Sequence, residues 1–166
     1  MKHKLIIGML TLCGMAAGQL STPASVQPRF SAFQSVTSAV AVVTISLPVN
    51  STRYAHLIRA FVSCSAACNL VEELNATAAT TTVATAAKLR KQSDTPVAIA
   101  YTASNIAASA VITHPLAIAA GVLTTIDLSH IYLSKSTSTL QSFTLRTDGA
   151  TGTNGITLIW EEISTL

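Results

Sequence analysis

From Val40 onward apolar and small polar side chains alternate, and this period of two constrains the fold more than any other feature of the chain. Val43, Ile45 and Leu47 share one side of an extended segment, with Thr44 and Ser46 on the other, as a half-buried strand requires. Pro48 ends that segment, because proline cannot donate to a ladder. Tyr54 to Cys64 reads as a longer strand, apolar on both sides, which predicts a central strand covered on both faces. Cys68 to Leu74 reads as its return strand. Pro96–Tyr101, Leu116–Ala120 and Val122–Leu133 continue the rhythm, while 103–113 leaves a helical turn and a strand both open. Leu140–Thr147 and Ile156–Ile163 read as a closing hairpin, with Asp148-Gly149 and Asn154-Gly155 punctuating the loop between them. Eight or so short strands at this spacing predict an all-β fold, a single antiparallel β-sandwich of jelly-roll-like form.

Composition narrows the class further. Of 166 residues, 26 are Ala, 23 Thr and 18 Ser, and only 10% are charged. Collagen-like, coiled-coil and highly charged disordered chains are excluded, and the apolar content is enough for a core. A net charge of +3 is too small to argue for nucleic acid, and basic–aromatic interleaving is missing.

Met1-Lys2-His3-Lys4 is a basic start, followed by the apolar run Leu5 to Met15 and by Ala16-Ala17-Gly18. This is the order of a secretory signal peptide with cleavage before Gln19, and the run is too short to span a bilayer comfortably. An N-terminal element of a cytosolic or virion protein is the alternative. Removing residues 1–18 leaves eight basic against seven acidic side chains, a net +1. Residues 19–38, with two prolines and several serines, read as an extended arm or linker, which leaves 39–166 for the sandwich.

Cys64 and Cys68 remain after cleavage. Along one straight strand they would stand about 13 Å apart, beyond any disulfide. If Ser65-Ala66-Ala67 turns the chain, the pair can close; otherwise both are small buried thiols. One C-x3-C pair is not a zinc site.

Catalytic signatures are weak. A G-x-S-x-G elbow is absent. His56 reads as a packed or edge histidine, His114 precedes proline in a break, and His130 alternates with Leu128 and Tyr132. Glu72-Glu73 and Glu161-Glu162 point to opposite faces within each pair, so neither pair is a dyad by itself, and solvent-facing strand ends suit them better. Asp127 and His130 are three apart, on opposite faces of a strand. Oxygen-bearing side chains at 148, 151, 153 and 154 make calcium conceivable in the last loop, without the usual run of carboxylates. Asn50-Ser51-Thr52 and Asn75-Ala76-Thr77 are glycosylation sequons that matter only in a eukaryotic secretory route. The tract Ala76–Ala87 reads as a small-residue strand and Lys88–Asp94 as an exposed loop. No catalytic, cofactor or metal residues are assigned, and the only candidate site residues are Cys64 and Cys68, as a disulfide.

Most of the eight aromatics fall at inward-reading strand positions, which leaves few for a sugar-stacking platform. Low-entropy Thr, Ser and Ala surfaces suit static assembly, and long apolar strands with few charges are safest with their edges buried. The expectation is a non-catalytic, homo-oligomeric assembly protein, with a trimer favoured. The alternative is an exported ligand- or carbohydrate-binding sandwich. The stretch SLPVNSTRYAHLIRAFVSCSAACNLVEEL and the terminal GITLIWEEI strand resemble, in strand rhythm over about residues 40–163, the small β-sandwich proteins that decorate phage heads or build virion fibres. That resemblance implies a non-enzymatic oligomer that binds a capsid or cell-surface protein. It implies a virion location if the leader is retained; a cleaved leader implies an extracellular or cell-surface one.

Overall fold

The structure is a computed structural model that describes residues 27–75, 77–78, 82–89, 95–103, 106–108, 111–112, 115–134, 141–149 and 151–164. The expected leader lies outside the described residues. In chain order the strands are β1 (Arg29–Thr37), β2 (Val42–Leu47), β3 (Tyr54–Cys64), β4 (Cys68–Leu74), β5 (Thr77–Ala78), β6 (Thr82–Ala84), β7 (Ala87–Lys88) and β8 (Ile99–Ala103). They continue with β9 (Ile106–Ala108), β10 (Val111–Ile112), β11 (Leu116–Ile118), β12 (Leu123–Asp127), β13 (Tyr132–Leu133), β14 (Gln141–Thr147) and β15 (Thr153–Ile163).

The fold is a β-sandwich in which every strand pairing among the described residues is antiparallel. The first sheet runs β12-β3-β15-β1-β7, with β13 also on β3. The second runs β10-β4-β14-β2-β8-β6, with β11 also on β4, and β5 and β9 form a separate ladder. Trp160, Leu158 and Ile156 of β15 face Phe143 and Leu145 of β14 and Ile45 and Val43 of β2, all at 0–1% exposure. This alternation is the period of two read in the sequence, now seen as two inner faces.

Two connections read as hairpins are not, and a third, after the strand found in the expected arm, has the same form. β1 and β2, β3 and β4, and β14 and β15 are consecutive in sequence yet lie in opposite sheets. The closing hairpin is therefore an arch: β14 pairs with β2 and β4, while β15 pairs with β1 and β3. Likewise β4 is not the return strand of β3. Each linker has to cross the roughly 10 Å between packed sheets, and this repeated crossing is what makes the sandwich jelly-roll-like.

The three arches meet at one end of the sandwich. Asn154 is fully buried there and donates its amide to the carbonyls of Ala39 (3.0 Å) and Gly149 (2.7 Å). The Ser38 amide reaches the Gly152 carbonyl at 2.7 Å, and the Ser65 amide the Thr153 carbonyl at 2.9 Å. Cys64 and Cys68 form a disulfide across the β3–β4 arch. Ser65-Ala66-Ala67 turns the chain, so the two cysteines stand 6.3 Å apart at Cα.

Other expectations shift for local reasons. Residues 29–37, read as part of an arm, form β1, because Phe30 and Ala32 enter the core and β15 offers a complete pairing edge. β2 is buried at all six positions, and so on both faces. β3 instead carries a bulge: Arg59 pairs with Ile159 but Leu57 with Trp160, so Ile58 is extra. The inward set therefore changes phase, from Ala55 and Leu57 to Ala60, Val62 and Cys64. Val122–Leu133 is not one strand, since a turn at 128–131 divides β12 from β13. The described parts of 103–113 are strand.

Candidate functional site

The outer face of the first sheet has two halves, and the register defines both. In the charged half, Arg29, Glu161, His56 and Tyr132 stand side by side on β1, β15, β3 and β13. The Glu161 carboxylate takes Arg29 Nε at 3.2 Å on one oxygen and His56 Nδ1 at 2.9 Å on the other. His56 Nε2 lies 2.8 Å from the Ser129 carbonyl, and the ring stacks on Tyr132 at 4.1 Å with 3° between planes. Both imidazole nitrogens thus lie within hydrogen-bond distance of an acceptor. Asp127 pairs with Arg59 in the next row, and its pKa is lowered chiefly by hydrogen bonding to Ser129.

The other half carries no charge. One row is Thr125, Phe61, Thr157 and Phe33; the next is Leu123, Ser63, Gly155 and Ser35. Leu123 is 67% exposed and Phe33 60%, each on a flanking strand, while the short side chains of Ser63 and Thr157 and the half-buried Phe61 lie between them. Single exposed apolar side chains are ordinary, but an uncharged sheet face with two of them is not.

The aromatics are therefore placed less deeply than their alternation implied. Phe30, Phe143 and Trp160 are core residues; Tyr54, Phe61 and Tyr101 are half-buried, and Phe33 and Tyr132 are exposed. The inner face of β1 is read from Phe30 and Ala32, which leaves Phe33 outside. That signal was present in the sequence but concealed by treating the segment as a linker.

Two glutamates are also corrected. Glu162 is 1% exposed, on the same face as Trp160, and it accepts the backbone amides of Val97 (2.8 Å) and Ala98 (2.8 Å). Arg53 Nη1 pairs with it at 3.4 Å. Glu73, also 1% exposed, lies on the covered outer face of the second sheet and receives Arg146 Nε at 2.9 Å. Buried positions, and not solvent-facing ends, hold these acids; Glu162 has donors that offset its desolvation, whereas Glu73 has Arg146 on Oε1 and a buried Oε2 without a partner among the described residues.

Of the conceivable calcium ligands, Asp148 is bonded within the chain, whereas Asn154 is bonded through its amide nitrogen and its Oδ1 is buried without a partner among the described residues. Asp148 accepts the Asn69 amide nitrogen and side-chain nitrogen, each at 2.7 Å, and Asn154 ties the arches together. Asp127 and His130 belong to a strand end and a turn, and His114 lies outside the described residues. So do residues 90–94 of the basic loop. A cleft of about 280 Å3 opens beside β13 and β4, lined by Glu72, Leu74, His130, Ile131, Tyr132 and Phe143.

Comparison with known proteins finds no matching family model, no matching curated protein and no matching solved structure.

Proposed function

We propose that this protein is a non-catalytic assembly unit that works as a homo-oligomer, with three copies the favoured number. The observation that carries this reading is the exposure of ten large apolar side chains among the described residues, in a chain whose charged content is only 10%. Water-exposed apolar area costs about 25 cal/mol per Å2 relative to burial, and few charges stand near it to oppose association. The described acids support the same reading, because Glu73, Glu161, Glu162 and Asp148 serve ion pairs and backbone clamps of the fold. A capsid or cell-surface protein is the partner class for the assembled unit, as the strand-rhythm resemblance to phage decoration proteins implies. Light scattering coupled to size exclusion tests the reading: a stable oligomer at micromolar concentration supports it, and a monomer contradicts it.

A ligand-binding module is the second reading, favoured by the cleft that places Glu72, His130 and Tyr132 against Phe143. It predicts a glycan-array response from a monomer.

A further inference from the structure

We infer that copies of this chain meet through the uncharged half of the first sheet's outer face, anchored by Phe33 and Leu123. The inference rests on the homo-oligomeric reading and gives it a site. Four features of the face select another copy of the chain as the occupant.

The first is charge. Uncharged surfaces of several copies can converge around a symmetry axis, whereas faces with net charge would repel one another. The adjoining charged half does not spoil this, because Arg29, Glu161 and His56 already satisfy one another within the chain. The second is layout. An apolar centre beside a polar margin is how specific interfaces are built.

Relief is the third. Phe33 on β1 and Leu123 on β12 stand at the two sides, and between them lie the short side chains of Ser63 and Thr157 and the half-buried Phe61. Three strand spacings and a two-residue offset set these two side chains about 16 Å apart, so a projecting side chain of one copy can enter over the short side chains of the next.

The fourth is area. With strands about 4.8 Å apart and a rise of about 3.3 Å per residue, the four-strand outer face along β3 projects roughly 700 Å2. That approaches the roughly 800 Å2 per partner of a standard interface. The uncharged rows lie toward the Cys64 end of that face and the paired charges toward the Tyr54 end.

The test uses the full chain and three variants: Phe33→Lys, Leu123→Lys and, as a control on exposed Val83 of β6, Val83→Lys. Light scattering and sedimentation equilibrium read assembly, and far-UV circular dichroism reads folding. The expected result is an assembled wild type. Each face variant should raise the dissociation constant about 30-fold or more, the value of one lost anchor. Val83→Lys should assemble like the wild type. If Phe33→Lys fails to fold, Thr125→Lys carries the same charge onto the face from an exposed position on β12.

Folded face variants that assemble as well as the wild type would overturn this site while leaving homo-oligomerisation intact. Equal dissociation by Val83→Lys would overturn the site as well. A monomeric wild type would overturn both the site and the reading beneath it.

Discussion

Phe33 leans over Gly155 of the neighbouring strand, its Cε2 3.8 Å from where a Cβ on that glycine would stand. The two are diagonal neighbours, since Phe33 pairs with Thr157 and Gly155 with Ser35. An aromatic ring over a strand glycine covers backbone that the missing side chain leaves bare. This contact explains how a face can present a 60% exposed phenylalanine while Gly155 beneath it is buried.

Gly155→Ala should be mild and Gly152→Ala costly. At Gly155 the new methyl meets the Ser63 hydroxyl at 3.1 Å, a group that can rotate away, so a loss below about 1 kcal/mol is expected. Gly152 has φ +71, and a methyl there would overlap Ser65 Oγ, which accepts the Thr153 amide at 2.7 Å. Backbone strain and the lost bond together predict about 2–3 kcal/mol. Urea unfolding of the two variants checks the contrast; equal costs would contradict it.

Reducing the Cys64–Cys68 bond should loosen the arch end without unfolding the sandwich. The bond closes a very short loop, for which chain entropy predicts about 2 kcal/mol. Thermal unfolding with and without reductant should differ by roughly 4–8 °C at this chain size. Cys64→Ser/Cys68→Ser should reproduce the reduced curve and no longer respond to reductant.

Glu162→Ala should be among the most damaging single changes. The carboxylate is 1% exposed and serves Val97 N, Ala98 N and Arg53 at once. Its removal strands buried donors and a paired cation, at about 3–5 kcal/mol. Glu72→Ala, on a half-buried side chain, should cost clearly less in the same denaturation experiment.

Asp148 should contribute stability that depends on acid pH. Burial opposes its charge, but the two bonds from Asn69 outweigh that and hold its pKa below the ordinary 3.8. A depressed folded pKa stabilises fully above the unfolded value and is lost as pH falls through the folded one. Asp148→Asn should therefore be less stable than the wild type at neutral pH, by less than about 1 kcal/mol because the group is exposed. The gap should close below 3.8. A gap that widens in acid would contradict the assignment.

The faces of the strands were legible in the sequence, whereas their partners were not. Ile156, Leu158 and Trp160 read inward from alternation alone, and the same alternation carries Glu162 inward, against the habit of placing acids in water. Alternation does not distinguish a hairpin from an arch, because side-chain period is identical whether the next strand lies beside or across the core. Asp148-Gly149 and Asn154-Gly155 marked a loop correctly but could not say where it led. The bulge at Ile58 is set by pairing with β15 and by the Leu128 amide on its carbonyl, contacts too distant in sequence to read locally. The uncharged face shares this origin, since Phe33 and Leu123 are 90 positions apart.

The central claim is that exposed apolar surface in this weakly charged chain exists to meet further copies of itself. Multi-angle light scattering of the full chain, run across a concentration series through the micromolar range, tests it most directly. The account predicts a mass that is a fixed small multiple of the protomer, with three copies favoured. A mass that stays at one protomer throughout the series would contradict it.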